Sequence, residues 1–177
     1  MVRRDAGISA PRPFTPRGNT MDRRFALGII AASLGTTLLA TSAAAQTAKT
    51  VAGTYSPVSV PAYGDKPRGQ MILTPDGRYS IVLSRADMPQ IAGGARTKGT
   101  ADENQAVVHG SIAHTGRYTI EDGGKAITFH IETSTFPNWN GTTQKRSLAL
   151  KGDTLTYMVN TPSNGGAPNE VTWQRVK

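Results

Sequence analysis

Residues 126–150, AITFHIETSTFPNWNGTTQKRSLAL, constrain the fold more than any other stretch of this chain. Ile127, Phe129 and Ile131 alternate with Thr128, His130 and Glu132. A period of two sets the first group on one face of a strand and the second group on the other. A second strand-like run covers residues 143–150. Between the two lies Phe136-Pro137-Asn138-Trp139-Asn140-Gly141, where proline cannot donate to a ladder and Asn-Gly supplies turn geometry. The result is a hairpin whose connecting loop carries an indole and two amides.

The rest of the chain repeats this pattern on both sides. Residues 51–60 predict a first strand, bulged at Pro57. Residues 70–74 and 79–84 flank Pro75-Asp76-Gly77-Arg78, and Asp-Gly between two apolar runs is a strong hairpin signal. Residues 85–99, polar and glycine-containing, predict a long loop over an open end. Thr100-Ala101-Asp102-Glu103 has the spacing of a capping box, so a helix is predicted from there. Its stripe runs through Asn104, Val108 and Ile112, and Gly116 supplies a stop near His114. Further strands are predicted over residues 117–120, 126–134, 143–150, 154–160 and 170–176. Eight short strands with mostly short turns hide both sheet edges most simply by closing the sheet. The predicted fold class is therefore all-β, an eight-stranded antiparallel barrel with one short α-helix.

The first 45 residues read as an address. Residues 1–20 hold four arginines and look unfoldable or like an over-long start; Met21 is the better initiator. Residues 21–45 have the parts of a signal peptide: basic Arg23-Arg24, an apolar run over residues 25–40, and Ala43-Ala44-Ala45 as a small-residue cleavage site. The twin arginine fits a folded-export signal only loosely. The apolar run is shorter than the ~20 residues of a membrane span, so an exported protein, periplasmic or secreted, is expected, without stable membrane insertion. Without the leader, residues 46–177 form one expected domain, with fourteen basic against ten acidic residues. That mild +4 is scattered and lacks aromatic interleaving, which excludes the usual nucleic-acid footprint. There is no cysteine, so stability rests on packing.

Several motifs together resemble the lipocalin-like domain found in bacterial proteins and in fungal natural-product pathways. They are Gly53-Thr54-Tyr55, Thr74-Pro75-Asp76-Gly77-Arg78, residues 110–118, His130-Ile131-Glu132, the Trp139 loop through Thr142, residues 152–156 and residues 173–176. The resemblance spans residues 52–177 and implies a calycin-type barrel. For some fungal relatives it implies a role in shaping the cyclisation of a polyketide chain; it carries over no catalytic residue. Tyr55 stands where lipocalins usually have Trp, with Arg175 as its expected partner in barrel closure, and His114 stands where relatives more often have an aromatic.

The candidate site residues are His130, Glu132, Asn138, Trp139 and Arg146. His130 and Glu132 lie two apart on one strand and share a face. Either that face is the outer wall and Ile127, Phe129 and Ile131 point inward, or the polar pair lines a cavity, where a histidine beside a carboxylate can move a proton. Trp139 with Asn138 and Asn140 either closes over a ligand or plugs one barrel end. Lys145 and Arg146 are adjacent and so lie on opposite faces; either Arg146 is the one that enters the barrel, pairing with Glu132, or it is solvated on the outer wall. His109 and His114, five apart, would stand about 140° apart on a helix, too far for a metal pair, and no nucleotide or hydrolase motif is present. No metal and no cofactor is expected. Three functions follow: binding of a small apolar or amphipathic molecule, a cyclase or isomerase using His130 or Glu132, or a filled structural barrel of the cell envelope.

Overall fold

A computed structural model describes residues 45–177. The expectations for residues 1–20 and for the signal peptide lie outside the described residues, Ala45 excepted. The described chain forms a closed antiparallel barrel in which each strand pairs with its sequence neighbours and β8 returns to β1. The strands are β1 (Gly53–Ser59), β2 (Arg68–Leu73), β3 (Arg78–Ser84), β4 (Ser111–Glu121), β5 (Ala126–Ser134), β6 (Thr143–Lys151), β7 (Thr154–Val159) and β8 (Asn169–Arg175). Two helices accompany them, α1 (Ala48–Val51) and α2 (Ala101–Gly110).

Alternation along the strands produces the core. Ile127, Phe129 and Ile131 are buried, as are Tyr79, Ile81 and Leu83 on β3 and Leu155, Tyr157 and Val159 on β7. Turn chemistry sets the register. In the β2–β3 turn, Thr74 Oγ1 accepts from Arg78 N at 2.9 Å, and Gly77, at φ 83°, takes the left-handed conformation that a side chain would resist. Pro57 falls at a register shift where β1 meets β8. A second shift, between Thr115 and Gly116, brings β4 so close to β5 that a Cβ on Gly116 would stand 2.1 Å from the His130 carbonyl oxygen. Only glycine fits there without moving a strand.

Two predicted boundaries are corrected. Residue 51 belongs to α1, a single capped turn whose Val51 is fully buried. The helix predicted to run towards His114 ends at Gly110, and residues 111–116 join β4, which pairs with β3 from Ser84–Ser111 to Arg78–Arg117. Cross-strand hydrogen bonding outweighs a weak helical stripe. Ile112 points into the barrel, whereas Val108 is 73% exposed. His109 and His114 therefore sit on different elements.

The meander sorts its connections between two ends. The turns after β2, β4 and β6 gather at one end with α1. There the guanidinium of Arg175 lies 5.0 Å from the centre of the Tyr55 ring and donates to the carbonyls of Ala52 and Thr50, while Tyr55 Oη donates to Val51 O at 2.7 Å. The longer connections after β1, β3, β5 and β7 meet at the other end.

Candidate functional site

The barrel is not hollow along its whole length. Tyr79, Phe129 and Tyr157 form an aromatic chain across its middle, with ring centres 4.7 Å apart for Tyr79–Phe129 and 5.8 Å for Phe129–Tyr157, all edge to face. Above this floor, towards the end with the long connections, lies a small cavity of about 50 Å³. It is a narrow slot. Its walls are mainly apolar, from Ile81, Leu83, Ile112, Val159 and Val171, and its mouth is framed by Tyr63, Trp139 and Asn164.

Arg146 enters this space from β6. It is only 4% exposed, and its Nη2 donates to Gln144 Oε1 at 2.7 Å, while its Nε has no hydrogen-bond partner among the described residues. The guanidinium carbon lies 5.0 Å from the Phe129 ring centre and 4.9 Å from that of Tyr157. Aromatic faces stabilise a cation, but weakly beside the cost of its desolvation. Burial lowers the pKa of Arg146, yet a guanidinium keeps its proton in proteins. Glu132 does not pair with it. β5 points Glu132 outward, 3.7 Å from Arg78 and 3.6 Å from Arg117, because Ile131 takes the inner face.

His114, from β4, lines the cavity beside Arg146 and is 5% exposed. Its Nδ1 lies 2.9 Å from the Tyr79 hydroxyl, and its ring makes an edge contact with Trp139 at 5.5 Å. Burial, followed by the Arg146 charge, pushes the His114 pKa down to about 3, so the imidazole is neutral at ordinary pH. Burial likewise raises the phenols of Tyr79 and Tyr157. With Nδ1 engaged by Tyr79, Nε2 is the ring nitrogen left to meet a ligand, as donor or acceptor according to tautomer.

Among the residues singled out from sequence, Trp139 and Arg146 line the cavity. Trp139 sits in a 3-10 turn, Pro137–Trp139, held by Asn140 Oδ1, which accepts from Ser134 N at 2.7 Å. Asn138 is exposed and outside the lining. His130 and Glu132 are on the outer wall, where His130 Nδ1 contacts Thr143 Oγ1 at 3.2 Å. The inward placement of that pair, and proton transfer by it inside the barrel, are therefore excluded by the alternation that buries Phe129. His114 and Tyr157, which line the cavity, and Tyr79, which bonds His114 from below, were not singled out. The signal that points to them is period-two alternation on β3, β4 and β7; for His114 it was obscured by the helix drawn through it.

Residues 44–176 match the lipocalin-like domain family. The 4'-hydroxy-3'-methoxypropiophenone carrier protein ppsC of Aspergillus oryzae is 33% identical over 82 residues, which cover 43% of this chain and 74% of that protein. The closed eight-stranded meander, its capped end and the match over the described residues together place this chain in the lipocalin-like domain family.

Proposed function

We propose that this protein is an exported carrier of a small aromatic or amphipathic molecule, held in the slot between Trp139, His114, Tyr157 and Arg146. The observation that carries this reading is the cavity itself. Above the floor of Tyr79, Phe129 and Tyr157 the barrel keeps a largely apolar space with a few convergent polar groups, the usual composition of a small-molecule site. Its narrowness and edge-presenting aromatic walls favour a flat ring over a bulky or long-chain guest. The relative's cargo, an aromatic ketone bearing a phenol, is of that kind. Export rests on the basic, apolar and small-residue pattern of residues 21–45.

The cyclase or isomerase alternative relied on His130 and Glu132, and it loses its residues because both face outward. The test is native mass spectrometry, with small-molecule extraction, of the protein purified from its own export compartment. A co-purifying aromatic or amphipathic compound that is lost in Trp139→Ala is expected. An empty protein whose thermal stability ignores a broad panel of aromatic compounds, lipids and polyketides would return the barrel to a purely structural role.

A further inference from the structure

Resting on the binding reading above, we infer that the cavity takes its ligand as an anion: a small conjugated molecule whose ionised oxygen, on an acidic phenol, an enol or a carboxylate, pairs with Arg146. Charge accounting leads there. A buried guanidinium without a counter-charge is costly, and native interiors normally supply one. Among the described residues no carboxylate forms an ion pair with it, and the acidic groups that act on it are the Tyr157 and Tyr79 phenols. Glu132 faces Arg78 and Arg117, Glu121 and Asp122 face Lys145, Asp153 faces Arg175 and Lys177, and Asp87 faces Arg85.

The groups around Arg146 come from four other strands as well as its own, and all are uncharged. β3 contributes the Tyr79 phenol, β4 the His114 imidazole, β5 the Phe129 ring, β7 the Tyr157 phenol, and β6 itself the Gln144 amide. Among the described residues the slot therefore carries a net positive charge in a largely apolar enclosure, with Nε without a partner there. A planar oxyanion matches the guanidinium fork and supplies the missing charge, whereas a neutral carbonyl or ether supplies at most a hydrogen-bond acceptor. Conjugation matters twice. It makes the oxygen acidic enough to ionise near neutral pH, and it keeps the molecule flat enough for the slot.

The experiment uses two probes on the intact protein, 4'-hydroxy-3'-methoxypropiophenone and its 4'-O-methyl ether, which is larger by one methyl group and cannot ionise. Binding is followed by Trp fluorescence and calorimetry, and ionisation of the bound phenol by the long-wavelength phenolate band. The expected result is that the bound phenol ionises at least about one pH unit below the free phenol, equivalent to a tenfold preference for the anion. Above that pH the ether should bind at least about tenfold more weakly than the phenol. Arg146→Met should abolish the ionisation shift and reduce the phenol–ether difference; should that variant not fold, the ionisation shift of the bound phenol on the wild-type protein decides alone. Equal binding of phenol and ether with an unshifted ionisation would overturn the anion inference and leave the carrier reading standing. If neither probe nor the aromatic carboxylate 4-hydroxy-3-methoxycinnamate binds, both fall.

Discussion

Because the Tyr79 hydroxyl lies 2.9 Å from Nδ1 of a histidine enclosed by Phe129, Trp139 and the Arg146 cation, protonating His114 means adding a second positive charge inside the barrel. Its pKa in the folded protein, about 3, is far below the ordinary value of 6.5. As the pH falls through 6.5 the unfolded chain takes up a proton that the folded chain refuses, so stability is full above that pH and declines below it. One proton gives a slope of about 1.4 kcal/mol per pH unit, readable between about pH 6 and 5, above the range where most carboxylates titrate. His114→Gln keeps an acceptor for Tyr79 and cannot titrate. Urea unfolding across this window should show the slope in the wild type and lose about that much of it in the variant; an unchanged slope would mean that His114 is protonated in the folded state. The contrast with His130 shows what sequence reveals about a site. Trp139 and Arg146 stood out through the loop and the adjacent-residue rule, and both line the cavity. Whether His130 or Phe129 points inward is a question of strand phase, which one strand alone leaves open and the closed barrel answers.

The element most dependent on its own sequence is α2. Thr100 Oγ1 accepts from Glu103 N at 3.3 Å, Glu103 Oε2 accepts from Thr100 N at 2.8 Å, and Glu103 Oε1 accepts from Ala92 N at 2.9 Å. One carboxylate thus caps the helix and ties down the loop before it, and these contacts hold its pKa below the ordinary carboxylate value. Of the ten helical residues only Gly110 is buried, so the helix contributes little to the core. Glu103→Ala should loosen the start of the helix, seen as faster amide exchange at Ala92 and Thr100 and through the first turn. The global melting temperature should hardly move; a loss spread evenly over the barrel would show that α2 is part of the cooperative core. The start of this helix was legible because a capping box is local. Its end was not, because the competitor is β3, some thirty residues earlier in sequence, whose Ser84 pairs with Ser111.

At the scale of the whole barrel, the two ends have separate tasks. At one, Arg175 bridges the last strand to the carbonyls of Ala52 and Thr50 while covering Tyr55, and Asp153 lies 3.8 Å from its Nε. At the other, Tyr63, Trp139 and Asn164 frame the cavity. The aromatic chain Tyr79–Phe129–Tyr157 stands between, so a loss at the closed end is not carried into the mouth as long as the barrel stays folded. Arg175→Ala removes a cation–π contact of about 0.5–2 kcal/mol and charged hydrogen bonds worth about 1.5–3 kcal/mol each. Their energies overlap and water replaces part of them, because the side chain is 23% exposed. A net destabilisation of about 2–4 kcal/mol is expected, with the affinity of the folded protein for an aromatic anion changed by less than about twofold. Arg146→Met should do the reverse, removing anion affinity while relieving an unpaired buried charge, so that unliganded stability holds or rises. Chemical denaturation and calorimetric titration on both variants and on their combination would test this, since effects at independent sites add to within about 0.5 kcal/mol. Strong coupling between the two substitutions would mean that closure at the Tyr55 end sets the shape of the binding slot.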